Sequence, residues 1–215
     1  LNKLKAFATL LKKPDRLKAL LSYGHKGYLA NIGWFTSFDN QQALDSNGEP
    51  LPWVTYSFID FIKTRLNKDL KIFEYGSGSS TLFYAKRVLK VVSVEHDETW
   101  YNKIVKSKPA NAEMIFSKLE RGGEYSKKAA ALGEKFDIVI VDGRDRVNCC
   151  INSVKALTPS GVIVLDDSER KDYEKAVIFL KDAGFKELSF TGISPGLFYL
   201  KATSVFYKTD NCLGI

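Results

Sequence analysis

The chain has 215 residues, 45% of them hydrophobic and 27% charged, which suits one globular domain with a real core. No stretch approaches the roughly 18 uninterrupted apolar residues that a membrane span needs. The net charge of +7 sits mostly in residues 1–26, where seven Lys/Arg face the single acid Asp15. The near-neutral remainder argues against a surface for nucleic acid.

Residues 1–21 read as one or two short helices broken near Pro14, with Leu1, Leu4, Phe7, Leu10 and Leu11 on one face. Such a segment either packs on the domain or a second subunit, or rests as a basic amphipathic helix on anionic membrane. No signal-peptide pattern is visible at the start. Three cysteines, two of them adjacent (Cys149 and Cys150), form no disulfide framework and no metal-ligand spacing. The expected location is therefore cytoplasmic, with peripheral contact to the inner face of a membrane as the alternative carried by the basic N-terminus.

Residues 22–52 are aromatic and turn-rich, and so long an irregular stretch is either a lid or a structural wrap. His25 and Trp34 lie within it as candidates for closing over a substrate. Helical spacing over 53–62 then leads to the first strand. The expected division is an N-terminal helical and aromatic segment, 1–69, and a sheet domain, 70–215.

From Leu70 onward apolar runs occur at 71–74, 91–95, 112–116, 136–141, 162–165, 186–190 and 203–207, with helical patterns between the first six. Alternation of this kind predicts a parallel sheet with helices on both faces. The connection from Thr191 to Ala202 holds Gly192, Pro195 and Gly196 and no convincing helix, which predicts an antiparallel final pair.

Lys71-Ile-Phe-Glu-Tyr-Gly-Ser-Gly-Ser-Ser-Thr81 is the most informative stretch. An apolar strand meets a carboxylate, a turn on Gly76 and Gly78, and then a helix. Such a unit brings bare backbone and free helix N–H groups against a nucleotide-like ligand. Glu95 ends the second strand 21 residues past Glu74, placed to accept hydrogen bonds from ribose hydroxyls. The third glycine of a dinucleotide site is replaced by Thr81, and an acid beside the turn would repel a diphosphate while suiting a cationic ligand. Beyond the strand ends the fourth run delivers Asp142 and the fifth Asp166 and Asp167. Four strands ending in carboxylates on one edge exceed what helix capping explains.

The pattern E-x-G-x-G-x-x-T with Glu95 downstream resembles the first two motifs of class I S-adenosylmethionine-dependent methyltransferases. With Trp53-Val-Thr-Tyr56, Val94-Glu-His-Asp97, Val141-Asp-Gly-Arg-Asp-Arg-Val147 and the terminal Asn211-Cys-Leu-Gly-Ile215, the chain looks like a bacterial group associated with polysaccharide and glycolipid biosynthesis. The resemblance implies a Rossmann-like α/β fold, a seven-stranded methyltransferase sheet that is mostly parallel with an antiparallel final strand. It implies that Glu74, Tyr75, Gly76, Ser77, Gly78, Ser79 and Thr81 hold the methionine part of S-adenosyl-L-methionine, that Glu95 takes the ribose, and that Asp142 and Gly143 lie beside the methyl donor.

The base for a hydroxyl acceptor would be Asp142 or His96, though His96 follows the ribose acid and could instead pack over the adenosine. Adenine contacts within 117–126 cannot be assigned. Asp142, Asp166 and Asp167 resemble the three metal-binding positions of catechol-type O-methyltransferases, so a divalent metal is conceivable and less favoured than its absence. Arg144 and Arg146 argue for an anionic or polyhydroxylated acceptor, a small molecule or glycan. The competing reading is a non-catalytic cofactor-binding or scaffold protein attached through its basic N-terminus, and a dinucleotide oxidoreductase stands third.

Overall fold

The computed structural model describes residues 3–22 and 26–215, so His25 lies outside the described residues. Seven strands form one sheet: β1 (Lys71–Tyr75), β2 (Lys90–Glu95), β3 (Ala112–Phe116), β4 (Phe136–Val141), β5 (Leu157–Asp166), β6 (Lys186–Gly192) and β7 (Lys201–Tyr207). Their order is β3-β2-β1-β4-β5-β7-β6. The first five are parallel, and β7 runs antiparallel to both β5 and β6. The predicted mostly parallel sheet and its antiparallel end are both present.

The near-continuous apolar strands are explained by burial on both faces. Along β1, Ile72 points to one core and Phe73 to the other. Ile72, Val91, Ile138 and Val164 pack beneath Phe83 and Tyr84 of α6 (Ser79–Ala85) and Phe58 and Ile62 of α5 (Tyr56–Lys63). Phe73, Val92, Val139 and Leu165 pack against α8 (Glu124–Ala131), α9 (Arg146–Ser153) and α10 (Glu174–Asp182). The adjacent cysteines belong to this second core, both fully buried on α9.

The N-terminal chain forms α1 (Lys3–Leu11) and α2 (Pro14–Ser22), broken where Pro14 predicts. Residues 26–55 include the short helices α3 (Tyr28–Asn31) and α4 (Trp34–Asn40) and the bridge Leu44↔Pro50. This stretch is tied to the β6–β7 connection. Trp34 Nε1 donates to Leu197 O at 3.0 Å, Trp53 Nε1 to Pro195 O at 2.6 Å, and the Thr55 hydroxyl to Phe190 O at 3.1 Å. Helix α5 begins at Tyr56 rather than Trp53, because Thr55 is extended and its N–H donates to Thr203 Oγ1. Trp34 is buried against Phe35, Phe38 and Phe198 and does not border the cavity at the strand ends, so the expectation that it meets substrate is corrected: it staples the wrap to the β6–β7 connection.

Candidate functional site

Strand order reverses between β1 and β4, and there the carboxyl ends of two neighbouring strands diverge into loops. A cavity of about 910 Å³ opens at that point. It is bordered by Glu74 and the Gly76–Ser80 turn from β1, Glu95 and His96 from β2, and Asp142, Gly143 and Arg144 from β4. The residues singled out on three separate strands thus meet on one rim.

The turn owes its shape to its glycines. Gly76 has φ +100° and Gly78 φ +150°, conformations that side chains rarely adopt. The β4 turn comes so close that a Cβ on Gly143 would stand 2.1 Å from the Tyr125 hydroxyl and 3.0 Å from Gly76 N. Thr81, where a dinucleotide site has glycine, is a bolt. Its hydroxyl donates to Glu74 Oε2 at 2.7 Å and accepts from Gly78 N at 3.1 Å, while Ser93 on β2 donates to the same Glu74 oxygen at 2.9 Å. Burial raises the Glu74 pKa, and the Ser80, Thr81 and Ser93 hydroxyls partly offset it. Thr81 therefore acts from behind the site, whereas Tyr75 borders the cavity. The Tyr75 ring is fully buried and its hydroxyl donates to Ser126 O at 2.8 Å.

Glu95 is fixed from three sides. Its Oε1 accepts from the backbone N–H of His96 at 2.7 Å and of Asp97 at 3.0 Å, and its Oε2 accepts from the Ser77 hydroxyl at 2.9 Å. His96 Nδ1 stands 2.9 Å from Glu95 Oε1, at ion-pair distance but without hydrogen-bond alignment, and its ring meets Tyr125 edge-on.

A helix after β2 is present as expected, α7 (Glu98–Ile104), but sequence reasoning named none of its residues for the site. Its Trp100, Lys103 and Ile104 border the cavity, whereas none of the described bordering residues comes from 117–126. Asp97 caps this helix through Trp100 N, and Trp100 Nε1 donates to Ser77 O at 2.9 Å, laying the indole beside Gly78. The available signal was an N-cap acid three residues before an aromatic, two residues past Glu95. Gln41, Gln42 and Trp53 close the cavity from the wrap, and Arg170 from the loop after β5.

Behind Asp142 lies a buried ion network. Arg146 reaches Asp142 Oδ1 at 2.9 Å, Asp167 Oδ2 at 3.2 Å and Asp166 Oδ2 at 3.5 Å, and donates to the main-chain oxygens of Asp142, Gly143 and Asp166. Lys201 of β7 lies 2.6 Å from Asp166 and 3.0 Å from Asp167. Two sequence expectations change here. Arg146 borders the cavity but is buried, and its N–H groups are all taken up by the acids and main-chain oxygens, so it holds the acids together and has no N–H left to offer a substrate. The three acids do not fit a divalent ion either. Asp166 and Asp167 are 1% and 6% exposed, and an ammonium and a guanidinium already hold the ground between them. Among the described residues no group of three or more His, Cys, Asp or Glu is arranged to hold a metal.

Asp142 and Asp167 both border the cavity, and Asp142 is the most open of the three acids, its side chain 26% exposed. Burial and the charge of Asp166 push its pKa well above the ordinary value, while Arg146 and Lys201 pull it back. Arg144 is exposed at the rim, and among the described residues no carboxylate lies within ion-pair distance of it.

No protein-family model and no curated protein sequence matches the chain. Solved structures do. A methyltransferase-like protein from Silicibacter pomeroyi DSS-3 shares 22% identity at a TM-score of 0.53, over 74% of this chain and 89% of that one. Precorrin-6y C5,15-methyltransferase from Geobacter metallireducens GS-15 shares 17% at 0.53, over 80% and 97%. Spermidine synthase from Thermotoga maritima shares 15% at 0.51, over 71% and 58%. The chain has the Rossmann-like methyltransferase fold. At these identities the likeness is one of fold, and the site residues carry the choice of chemistry.

Proposed function

We propose that the protein is an S-adenosylmethionine-dependent methyltransferase acting on a hydroxyl of a sugar or another small, polar, anionic acceptor. The observation that carries this reading is the convergence of the Gly76–Gly78 turn, Glu95 and Asp142 on one cavity. The residues suit this cofactor. The turn gives close backbone approach, an immobilised acid ends β2, and a buried acid rather than a basic residue stands under the turn. A diphosphate would find Glu74 and Glu95 repulsive, and a sulfonium nucleoside would not.

The cofactor supplies a methyl group activated by its positive sulfur. Glu95 accepts from the ribose hydroxyls with the lone pairs left over from Ser77 and the backbone. His96 and Trp100 would flank the nucleoside, which leaves proton removal to Asp142. Its raised pKa makes it a stronger base than an ordinary carboxylate while Arg146 holds it in place. Alignment of the acceptor oxygen is the other task of an in-line displacement. Arg144, with the amides of Gln41 and Gln42 also bordering the cavity, suits an acceptor carrying a carboxylate or phosphate beside its hydroxyls.

The test is transfer of labelled methyl from S-adenosylmethionine to a panel of sugar phosphates, uronic acids and their uncharged counterparts. Preference for the anionic members, reduced in Arg144→Ala, supports the reading. Equal use of neutral acceptors would remove the anionic part of it.

A further inference from the structure

Helices α1 and α2 and the turn between them carry Lys3, Lys5, Lys12, Lys13, Arg16 and Lys18 against the single acid Asp15. Their apolar side chains are left outside. Phe7 is 60% exposed, Leu11 57%, Leu20 50% and Leu21 68%, and no described side chain of either helix joins the two hydrophobic cores. Phe7 and Leu11 lie one turn apart on one face of α1. On α2, Leu17, Leu20 and Leu21 share a face with Arg16 and Lys18 at its two flanks. Both helices are packed on each other, and the turn between them is closed by Lys13 N to Leu10 O and Leu17 N to Lys13 O.

We infer that this helical pair is a docking surface for an anionic lipid bilayer. Charge complementarity selects the occupant. A second copy would bring the same excess of cations against this one, and like charges repel. A nucleic acid would satisfy the lysines and leave four large apolar side chains facing phosphate and water. A lipid interface takes both: aliphatic and aromatic groups enter the acyl boundary, while flanking lysine and arginine stems reach up to anionic headgroups. No helix among the described residues is long and apolar enough to cross a membrane, so the contact is peripheral. The remainder of the chain, nearly neutral, leaves the attraction confined to this end.

The experiment is co-sedimentation of the whole chain with vesicles of phosphatidylcholine alone and of phosphatidylcholine mixed with phosphatidylglycerol, at low and physiological salt. Binding is expected with the mixed vesicles only, weakening with salt and by on the order of fivefold for each basic residue removed at low ionic strength. Two variants divide the contributions: Lys12→Glu with Lys13→Glu and Arg16→Glu for charge, and Phe7→Ser with Leu11→Ser and Leu21→Ser for insertion. Each should lower binding at least about tenfold with an unchanged melting temperature. Absence of binding to mixed vesicles overturns the proposal. So does an apolar variant that binds as well as the parent while duplex DNA competes for the site. Conversion of a dimer to a monomer by the apolar variant, without vesicle binding, assigns the face to a second copy instead.

Discussion

Arg146 Nη2 lies 2.9 Å from Asp142 Oδ1 and 2.8 Å from the main-chain oxygen of the same residue. One guanidinium nitrogen thus grips both ends of the acid four positions before it. The grip depends on Asp145, whose left-handed conformation (φ 51°, ψ 38°) turns the chain so that α9 begins under the β4 edge. A cation in the first turn of a helix opposes the macrodipole. Here three carboxylates outweigh that small cost, and Arg146 is fixed at the base of the cavity.

Replacing Asp142 by Asn removes the proposed base and leaves the shape. Methyl transfer should fall on the order of 100- to 10,000-fold, with cofactor affinity changed far less. Calorimetry and turnover measured on the same preparation separate the two effects. In the parent, kcat/KM should rise with pH through an acid limb above the usual carboxylate range, because burial and Asp166 raise the Asp142 pKa. Lys201→Met takes away a cation that lowers it, so the limb should move to still higher pH.

Lys201→Met also leaves Asp166 buried with one partner fewer. The expected loss of stability is about 3–5 kcal/mol, read by denaturant unfolding. Activity of the unmodified protein should survive extensive treatment with a chelator, since Arg146 and Lys201 neutralise the acids that a metal would need. Loss of activity on chelation, restored by Mg²⁺, would contradict this.

Much of this site is written locally. The glycine turn, Glu95 and Asp142 each sit at a strand end that apolar runs reveal, and parallel pairing brings those ends together. Lys201 was illegible because it meets Asp166 only through the insertion of β7 between β5 and β6, a pairing 35 residues apart in sequence. Trp34 was misread for a related reason. An aromatic in an irregular stretch looks like a ligand platform until its partner, the Leu197–Phe198 loop, is known. Arg146 looked like a substrate ligand because nothing local shows that its helix starts beneath two other strand ends.

Thr81→Val removes the cap on Gly78 N and one of two hydroxyl donors to Glu74 Oε2. A loss of about 1–3 kcal/mol is expected, together with weaker nucleoside binding. A dinucleotide-like Thr81→Gly should be no better, which distinguishes the bolt from a merely tolerated side chain.

Glu74 gives a pH signature of its own. Its carboxyl holds a proton more tightly when folded than when unfolded, so its contribution to stability is fully present below the ordinary value of 4.5. That contribution is lost as pH rises through the higher folded value. The unfolding free energy of Glu74→Gln should therefore decline less over this interval than that of the parent, as followed by urea denaturation at a series of pH values.

Gly143→Ala should destabilise by about 1–3 kcal/mol through the clash with the Tyr125 hydroxyl, and Tyr125→Phe should recover part of the loss. Recovery in the double variant, measured by thermal unfolding, shows that the Tyr125 hydroxyl of α8 sets that part of the cost, and the loss that remains belongs to the close approach of the β1 and β4 turns.

Titration of S-adenosylhomocysteine into the purified chain by calorimetry bears most directly on the whole account. Saturable one-to-one binding is expected, weakened on the order of tenfold or more by Glu95→Ala and left within about threefold by Arg144→Ala. No heat of binding at millimolar ligand, or tighter binding of NAD than of the sulfur nucleoside, would contradict the assignment of this cavity.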